Sequence, residues 1–470
     1  MSEHTMTIGG ARAGTARRFD VVNPATGSVF ATAPAAAPDD VEAAVSAAHQ
    51  AFASWKRDEG ARRKAMHAAA DAVDAAGPEL AALLTAEQGK PLTDAATEVQ
   101  RSALWLRYHA DLELPVEVVR DDATGYAEVH RRPLGVVAAI TPWNFPLTLA
   151  MWKIAPALRA GNTVVVKPSP FTPLATLALG EVLRPVLPPG VLNVIAGPDP
   201  LGSLLTGHRL VRKISFTGST ETGKRVAAAA APDLKRVTLE LGGNDPAIVL
   251  PDVEIGTIAQ RLFASAFMNN GQVCLAVKRV YAHASICDEL VDALAAIARS
   301  VKVDDGTVEG AVLGPINNRP QLDRVTSLVD DAIVRGARVA AGGRAIDRPG
   351  YFYRPTILTD VSDGVAIVDD EQFGPALPVI RYDDVEDAVA RANNSRFGLT
   401  ASVWSADVAE AARIAADLDA GQVSLNVHGF GVWPDLPFGG HKWSGIGVEN
   451  GRWGLHAYTE TQVITGPVRP

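Results

Sequence analysis

The sequence predicts an α/β protein of two lobes, each built on a parallel sheet. Three observations lead there. The chain has 470 residues, too many for one ordinary core. Residues 135–243 alternate short Val/Ile-rich runs with helical stretches, and residues 244–438 start the alternation again. Near-continuous apolar runs mark strands buried on both faces, which run parallel and are joined by right-handed crossovers. Apolar residues make up 47% of the chain and charged ones 21%, the balance of a globular chain and not a disordered one.

In chain order, residues 1–18 read as a loose arm. FDVVNPATGSVFATAP is a hairpin, two β-rich runs around Asn-Pro-Ala-Thr-Gly. From Asp39, the residues Val41, Val45, Ala48, Phe52 and Trp55 recur at helical spacing. Ala-rich helices continue to about Leu112, broken near Gly77-Pro78 and Gly89-Lys90-Pro91, and no period makes them a repeat array. VEVVR and YAEVHRR flank the polar run DDATG, giving a long hairpin over 116–132. Its open edge needs a cover, either its own domain or another chain.

The strands of the first lobe are GVVAAITP, NTVVVKP, LNVIAG, KISFTGS and VTLELGG, with helices around 148–160, 173–188, 200–209 and 221–231. Such sheets bind ligands at the carboxyl ends of their strands. There the chain places Asn144 after the first strand, Lys167 ending the second, Gly218-Ser219 ending the fourth and Glu240 ending the fifth. The second lobe offers NDPAIVL, a helix over 254–268, KRVYAH and a helix over 285–300. LGPINN follows, then strands near 354–359, 377–381 and 399–404. Cys274, in a Gly-Gln-Val-Cys turn, is expected to open a helix of this lobe. A helix N-terminus would lower a thiol pKa from its free value of about 8.5.

Composition narrows the function. A formal charge of −9 argues against nucleic acid or an anionic membrane as the main partner. MSEHTMTIGG shows no basic n-region or apolar h-region, so no secretory signal is expected. The most apolar stretch, Ala138 to Leu158, is broken by Pro142, Asn144, Pro146, Lys153 and Pro156, which excludes a spanning helix. Cys274 and Cys287 are the two cysteines, too few for a disulfide framework, and no Cys/His cluster has metal-ligand spacing. The expectation is a cytoplasmic, metal-free protein with a small-molecule partner.

Each motif carries two readings. Glu240 and Cys274, each beside glycine-containing backbone, suit a base and a nucleophile of thioester chemistry; a salt-bridged Glu and a buried core Cys are the plain alternatives. FTGSTETGK is a strand, a turn and a helix start whose N–H groups would hold a pyrophosphate, or an ordinary strand–helix turn. Lys167 serves a nucleotide ribose or phosphate, or is solvated. Asn144, in TPWNFP, offers its amide to a developing oxyanion, or satisfies its own loop. In EQFGP, Glu371 accepts from ribose hydroxyls with Phe373 packed on the sugar, or Glu371 stabilises the loop. Cys287, in SICDEL, reads as structural.

Together these stretches resemble the aldehyde dehydrogenase superfamily, and the resemblance covers nearly the whole chain. It is carried by FDVVNPATG, TPWNFPL, VVVKPS, FTGSTETGK, LELGGNDP, FMNNGQVCLAVKR, LGPI, EQFGP, NNSRFGL and PFGGHKWSG. The resemblance implies Cys274 as nucleophile, Glu240 as base for deacylation and Asn144 as oxyanion donor. It implies contacts from Ile140, Thr141, Trp143, Lys167, Gly218, Ser219, Leu241, Glu371 and Phe373 to NAD, or to NADP. It places Phe145, Trp152, Phe430, Trp433 and Phe438 along the aldehyde tunnel, suggesting an apolar or aromatic aldehyde. The implied fold has a Rossmann-like cofactor domain (1–115 and 133–242) and a catalytic domain (243–439). The segments 116–132 and 440–470 supply an oligomerisation flap and C-terminal segment, for a homo-oligomer, dimer or tetramer.

Two residues depart from the family pattern. Pro170, in KPSP, stands where many relatives carry a Glu that binds the adenosine ribose and repels a 2′-phosphate. NAD remains the expected cofactor, with weak discrimination against NADP. Lys278 stands where many members have a smaller polar residue, and nothing in the sequence accounts for it. A CoA-acylating enzyme would not need Glu240, and a non-catalytic protein on this fold would tolerate loss of Cys274, Glu240 or Asn144; all three are present.

Overall fold

The structure is a computed structural model that describes residues 4–429 and 432–469. Its first sheet has eight strands, in the order Ala11–Ala13, Met6–Ile8, Leu192–Val194, Thr163–Lys167, Val136–Ile140, Val211–Thr217, Arg236–Glu240 and Gly445–Ile446. From Leu192–Val194 to Arg236–Glu240 the neighbours are parallel. Every residue of Val136–Ile140 and Thr163–Lys167 is buried, because helices cover both faces. Strand order reverses beside Val136–Ile140, which has Thr163–Lys167 on one side and Val211–Thr217 on the other. A crevice at the carboxyl ends follows from that reversal.

The second sheet runs Arg338–Ala341, Thr356–Thr359, Ala376–Tyr382, Val277–His283, Asp245–Val249, Thr400–Trp404 and Gln422–Leu425. It is parallel except at Arg338–Ala341. One apolar core, including Phe263, Leu290 and Leu294, packs on one face; another, including Val325, Val329 and Ile414, packs on the other. The link Leu241-Gly242-Gly243-Asn244 takes the chain from the carboxyl end of Arg236–Glu240 straight to the amino end of Asp245–Val249. The sheets therefore meet by opposite ends.

Two expectations need correction, and one element is new. The arm is not loose from residue 4 onward: Met6–Ile8 and Ala11–Ala13 form a hairpin, Thr7 pairs with Val194, and Met6 is fully buried at the sheet edge. A helix over Arg319–Val334 had no counterpart in the sequence reading. Asn318 caps it, accepting from Gln321 N–H at 3.0 Å, and Leu322, Val325, Leu328, Val329 and Ala332 form its buried stripe. Cys274 opens no helix; it sits in a turn before Val277–His283, and the next helix begins at Cys287.

The 116–132 hairpin is present as Glu117–Asp122 and Gly125–Pro133, and Thr459–Gly466 joins it as a third strand. Every residue of Glu117–Asp122 is exposed. Among the described residues, no helix is long and apolar enough to cross a membrane.

Candidate active site

Between the sheets lies a cleft of about 1040 Å³, at the upper end of the roughly 300–1,000 Å³ usual for ligand pockets. Trp143, Asn144, Ser219, Cys274, Glu371 and Phe373 line it. Residues scattered over the sequence are thus brought to one wall or another of a single cavity.

The Cys274 loop is shaped by the residues before it. Asn269 (φ 48°), Asn270 (φ 60°) and Gly271 (φ 71°) turn left-handed in succession, a conformation that Asn and Gly adopt more readily than other residues. The Gln272 side chain then locks the turn, donating to Asn269 O at 2.9 Å and accepting from Asn317 N–H at 2.8 Å. Cys274 emerges half-buried. Without a helix dipole, burial pushes its thiol up to about 12; Lys278 pulls it down, while Glu371, Asp245 and Glu240 push further.

Asn144 faces this loop. Its Nδ2 donates to Gln272 O at 2.9 Å, leaving a second N–H. Its backbone carbonyl accepts from Lys90 Nζ at 2.9 Å and Asn269 Nδ2 at 3.1 Å. Lys90 is itself paired with Glu98 at 2.5 Å, so the asparagine's position is fixed from a buried ion pair. The Cys274 backbone N–H has no acceptor among the described residues.

Glu240 closes its strand between Thr217 and Gly445, just before cleft-lining Leu241. It is buried, and neither carboxylate oxygen has a hydrogen-bond partner among the described residues. Burial first, and then Glu449, push its pKa well above the usual carboxylate range; Lys153 opposes them. Lys153 donates to Thr217 Oγ1 and Glu449 Oε1, each at 2.7 Å, and Ser215 Oγ donates to Glu449 at 3.0 Å. This buried group was missed in the sequence. Its signal was Lys153 interrupting an apolar helix, read there only as a bar to membrane insertion.

On the same wall, after the neighbouring strand, Ser219 caps the helix Thr220–Ala230, accepting from Thr222 N–H at 3.3 Å, and Gly218 to Glu221 line the cleft. Leu241 packs against Gly223, where a Cβ would lie 2.4 Å from Leu241 Cδ2. Trp143 and Phe373 meet edge-to-face at 5.3 Å. Glu371 accepts from Gly243 N–H at 3.1 Å. Gln321 donates to the Gln372 and Phe373 carbonyls at 2.9 Å, and Arg324 to the Glu371 carbonyl at 2.8 Å. Gln321 and Arg324 went unnoticed because their helix did.

Ile140, Thr141 and Lys167 stand at the carboxyl edge but outside this cleft's lining. Thr141 N–H donates to Lys167 O at 3.1 Å, and the buried Lys167 ammonium donates to Pro168 O at 3.0 Å. Burial pulls Lys167 down to about 8, with Asp199 opposing. A helix start with open N–H groups, an aromatic pair, a carboxylate and a buried ammonium fit a dinucleotide's phosphates, rings and ribose hydroxyls.

The aromatic tunnel is not assembled around this cleft. Trp152 is buried, stacked on Trp105 at 5.8 Å and edge-on to Phe438 at 5.3 Å. Phe145 is half-buried under Lys90 Nζ at 3.8 Å, Trp433 is exposed, and none of these four lines the cleft. Large apolar rings satisfy one another in the core before they line a cavity. Phe430 lies outside the described residues. Cys287 is buried at the start of its helix, in a structural position. Among the described residues no group of acidic, His or Cys side chains is arranged to hold a metal.

The model of the aldehyde dehydrogenase family matches residues 11–464. This chain belongs to that family. It is 41% identical over 482 residues to a phenylacetaldehyde dehydrogenase of Pseudomonas fluorescens, covering 98% of this chain and 95% of that one. An NAD⁺ complex of an aldehyde dehydrogenase from Bacillus cereus superposes with a TM-score of 0.97 at 35% identity, covering 100% of this chain and 97% of that one. An NADP-dependent enzyme of E. coli superposes at 0.96 and 35% identity, covering 98% of each chain. The protein is an NAD(P)-dependent aldehyde dehydrogenase with the family's α/β fold, and it oxidises aldehydes.

Proposed function

We propose that Cys274 is the nucleophile, Asn144 the oxyanion donor and Glu240 the base of this dehydrogenase. The observation that carries the reading is the buried Glu240 carboxylate with both oxygens unpartnered. Such a group is costly unless it has work with a water or substrate.

Cys274 adds as thiolate to the aldehyde carbon. The developing oxyanion takes the spare Asn144 N–H and the Cys274 backbone N–H, both held before substrate arrives. A nicotinamide dinucleotide, when bound, supplies the hydride acceptor that converts the Cys274 thiohemiacetal to a thioester. Trp143, Phe373, Glu371, Ser219, Gly218, Leu241, Ile140, Thr141 and Lys167 hold and orient that dinucleotide. Glu240 then takes a proton from water, which attacks the thioester and releases the carboxylate. Lys153 and Glu449, paired with each other, act on Glu240 through charge: Glu449 favours its protonated form and Lys153 its carboxylate.

NAD is the better cofactor, with modest discrimination, because half-buried Pro170 brings neither an acceptor nor a repulsive charge beside Lys167. An apolar or aromatic aldehyde is the substrate class, consistent with the phenylacetaldehyde enzyme among its relatives. The cofactor domain is 1–115 with 133–242, the catalytic domain 243–439, and 116–132 with the C-terminal strand the flap. The open edge of Glu117–Asp122, with Val118 and Val119 exposed, is covered in a cytoplasmic homo-oligomer. The test is NAD(P)H absorbance with aliphatic, aromatic and semialdehyde substrates, with and without CoA. Carboxylate formed without CoA supports hydrolysis through Glu240; a CoA requirement overturns it.

A further inference from the structure

Lys278 occupies a place that the chemistry above does not use. It is the second residue of Val277–His283, and its side chain is buried at 2% exposure. Its ammonium donates to the carbonyl of Val273 and, at 3.3 Å, to that of Cys274. The same ammonium lies 3.9 Å from Glu371 Oε1 and 5.7 Å from the centre of the Phe373 ring. One cation therefore touches the backbone of the thiol loop and faces the carboxylate assigned to the cofactor ribose.

Its surroundings are mostly acidic. Asp245, on the neighbouring strand, is buried with Oδ1 unpartnered among the described residues; Thr400 donates to its other oxygen through N–H at 3.1 Å and Oγ1 at 2.5 Å. Gly243 lets these groups crowd together: a Cβ there would lie 2.5 Å from both Asp245 Oδ1 and Cys274 O. Glu371 faces the site from the loop before Ala376–Tyr382, and Glu240 from the first sheet. His428, 4.0 Å from Asp245, is pushed down to about 3 by burial and stays neutral. Arg279 is committed elsewhere, donating to Asn244 O at 2.9 Å and Ala392 O at 2.8 Å. Arg324 donates to the Glu371 backbone carbonyl. Among the charges acting on Cys274, Lys278 is the one that favours the thiolate.

We propose that Lys278 is a positioning residue that holds the Cys274 loop from behind and divides one buried charge between the thiol and Glu371, coupling thiol reactivity to the cofactor-binding carboxylate. When Glu371 is drawn toward a ribose, the charge is freed for the thiolate. When Glu371 stays on the lysine, the thiol is quieter. The proposal rests on Cys274 being the nucleophile.

The test is the pH dependence of Cys274 alkylation by iodoacetamide in the cofactor-free enzyme, followed on the Cys274 peptide by mass spectrometry. Wild type is compared with Lys278→Met, which keeps the side-chain length, and with Glu371→Gln. Lys278→Met should slow alkylation about tenfold at pH values below the thiol pKa, one unit of upward shift. Glu371→Gln should speed it, because the thiol loses a repulsive carboxylate and the ammonium loses its competitor. Opposite signs support the proposal; a residue needed only for packing would not give them. Rates within twofold of wild type in Lys278→Met, or both variants shifting the same way, overturn it. Should Lys278→Met fail to fold, Lys278→Gln, which keeps a donor to the loop carbonyls and removes the charge, is read in its place against the same outcomes. Residual aldehyde oxidation, measured on each alkylated sample, separates this result from the nucleophile assignment: activity surviving full Cys274 alkylation removes the nucleophile, whatever the two variants do.

Discussion

The two sheets build the site by opposite conventions. The first contributes from the carboxyl ends of its strands: Asn144 after Val136–Ile140, Ser219 after Val211–Thr217 and Glu240 at the end of its own strand. The second contributes from the amino ends: Cys274 before Val277–His283, and Glu371 and Phe373 before Ala376–Tyr382. The four-residue link after Glu240 forces this, since the second sheet begins where the first one ends. Carboxyl-end loops of a parallel sheet are held by crossover helices and present helix N-termini to a ligand. Amino-end loops have no such dipole. Burial pushes the Cys274 thiol up to about 12 with no dipole to oppose it, and on our account the second sheet supplies a buried lysine in the dipole's place.

Variants at the two walls should break the comparison in different ways. The largest effect belongs to the second sheet. Cys274→Ala should lower turnover on the order of 10⁴–10⁶-fold, the scale of losing a nucleophile, while dinucleotide binding by fluorescence titration is retained. Loss of binding as well would mean that the thiol loop also shapes the first wall. Next comes Glu240→Gln, from the first sheet, which should cut steady-state turnover about 10²–10⁴-fold. A stopped-flow burst of NAD(P)H should persist if hydride transfer still outruns hydrolysis. In the wild type, Glu240 has a raised pKa, so it is an acid at low pH and a base only above its pKa. Steady-state turnover should rise with pH through that value, and Glu240→Gln should flatten the rise. Asn144→Ala should cost about 10²–10³ in rate, one oxyanion donor, with little change in cofactor affinity. A change confined to KM would place Asn144 in binding instead. The smallest effect is Pro170→Glu, expected to raise the kcat/KM preference for NAD over NADP by about tenfold, or 1.4 kcal/mol. A wild-type preference for NADP beyond tenfold would show another residue holding the phosphate.

Legibility in the sequence follows the same division. The parallel strands of the first sheet are buried on both faces, so their runs are unbroken, and the carboxyl-end rule carried the reading to Asn144, Ser219 and Glu240. The second sheet resisted. Its thiol loop is set by Asn269, Asn270 and Gly271 in left-handed conformations, which a periodicity search does not register, and a helix was expected there. The helix Arg319–Val334 keeps a polar outer face with a narrow apolar stripe, and its loss hid Gln321 and Arg324. Lys153 and Glu449 are 296 residues apart in the chain, as Lys278 and Glu371 are also far apart, and a lone charge in an apolar run does not announce its partner. Aromatic residues announce their partners no better: Trp152 and Phe438 are buried edge-to-face against each other.

The central claim is that a thioester forms on the second sheet and is hydrolysed from the first. Rapid quench of Glu240→Gln with NAD and an aromatic aldehyde, followed by peptide mass spectrometry, tests it most directly. The account predicts an acyl adduct on the Cys274 peptide, formed with the NADH burst and decaying slowly. No adduct during the burst, or an adduct on the Cys287 peptide, would contradict it.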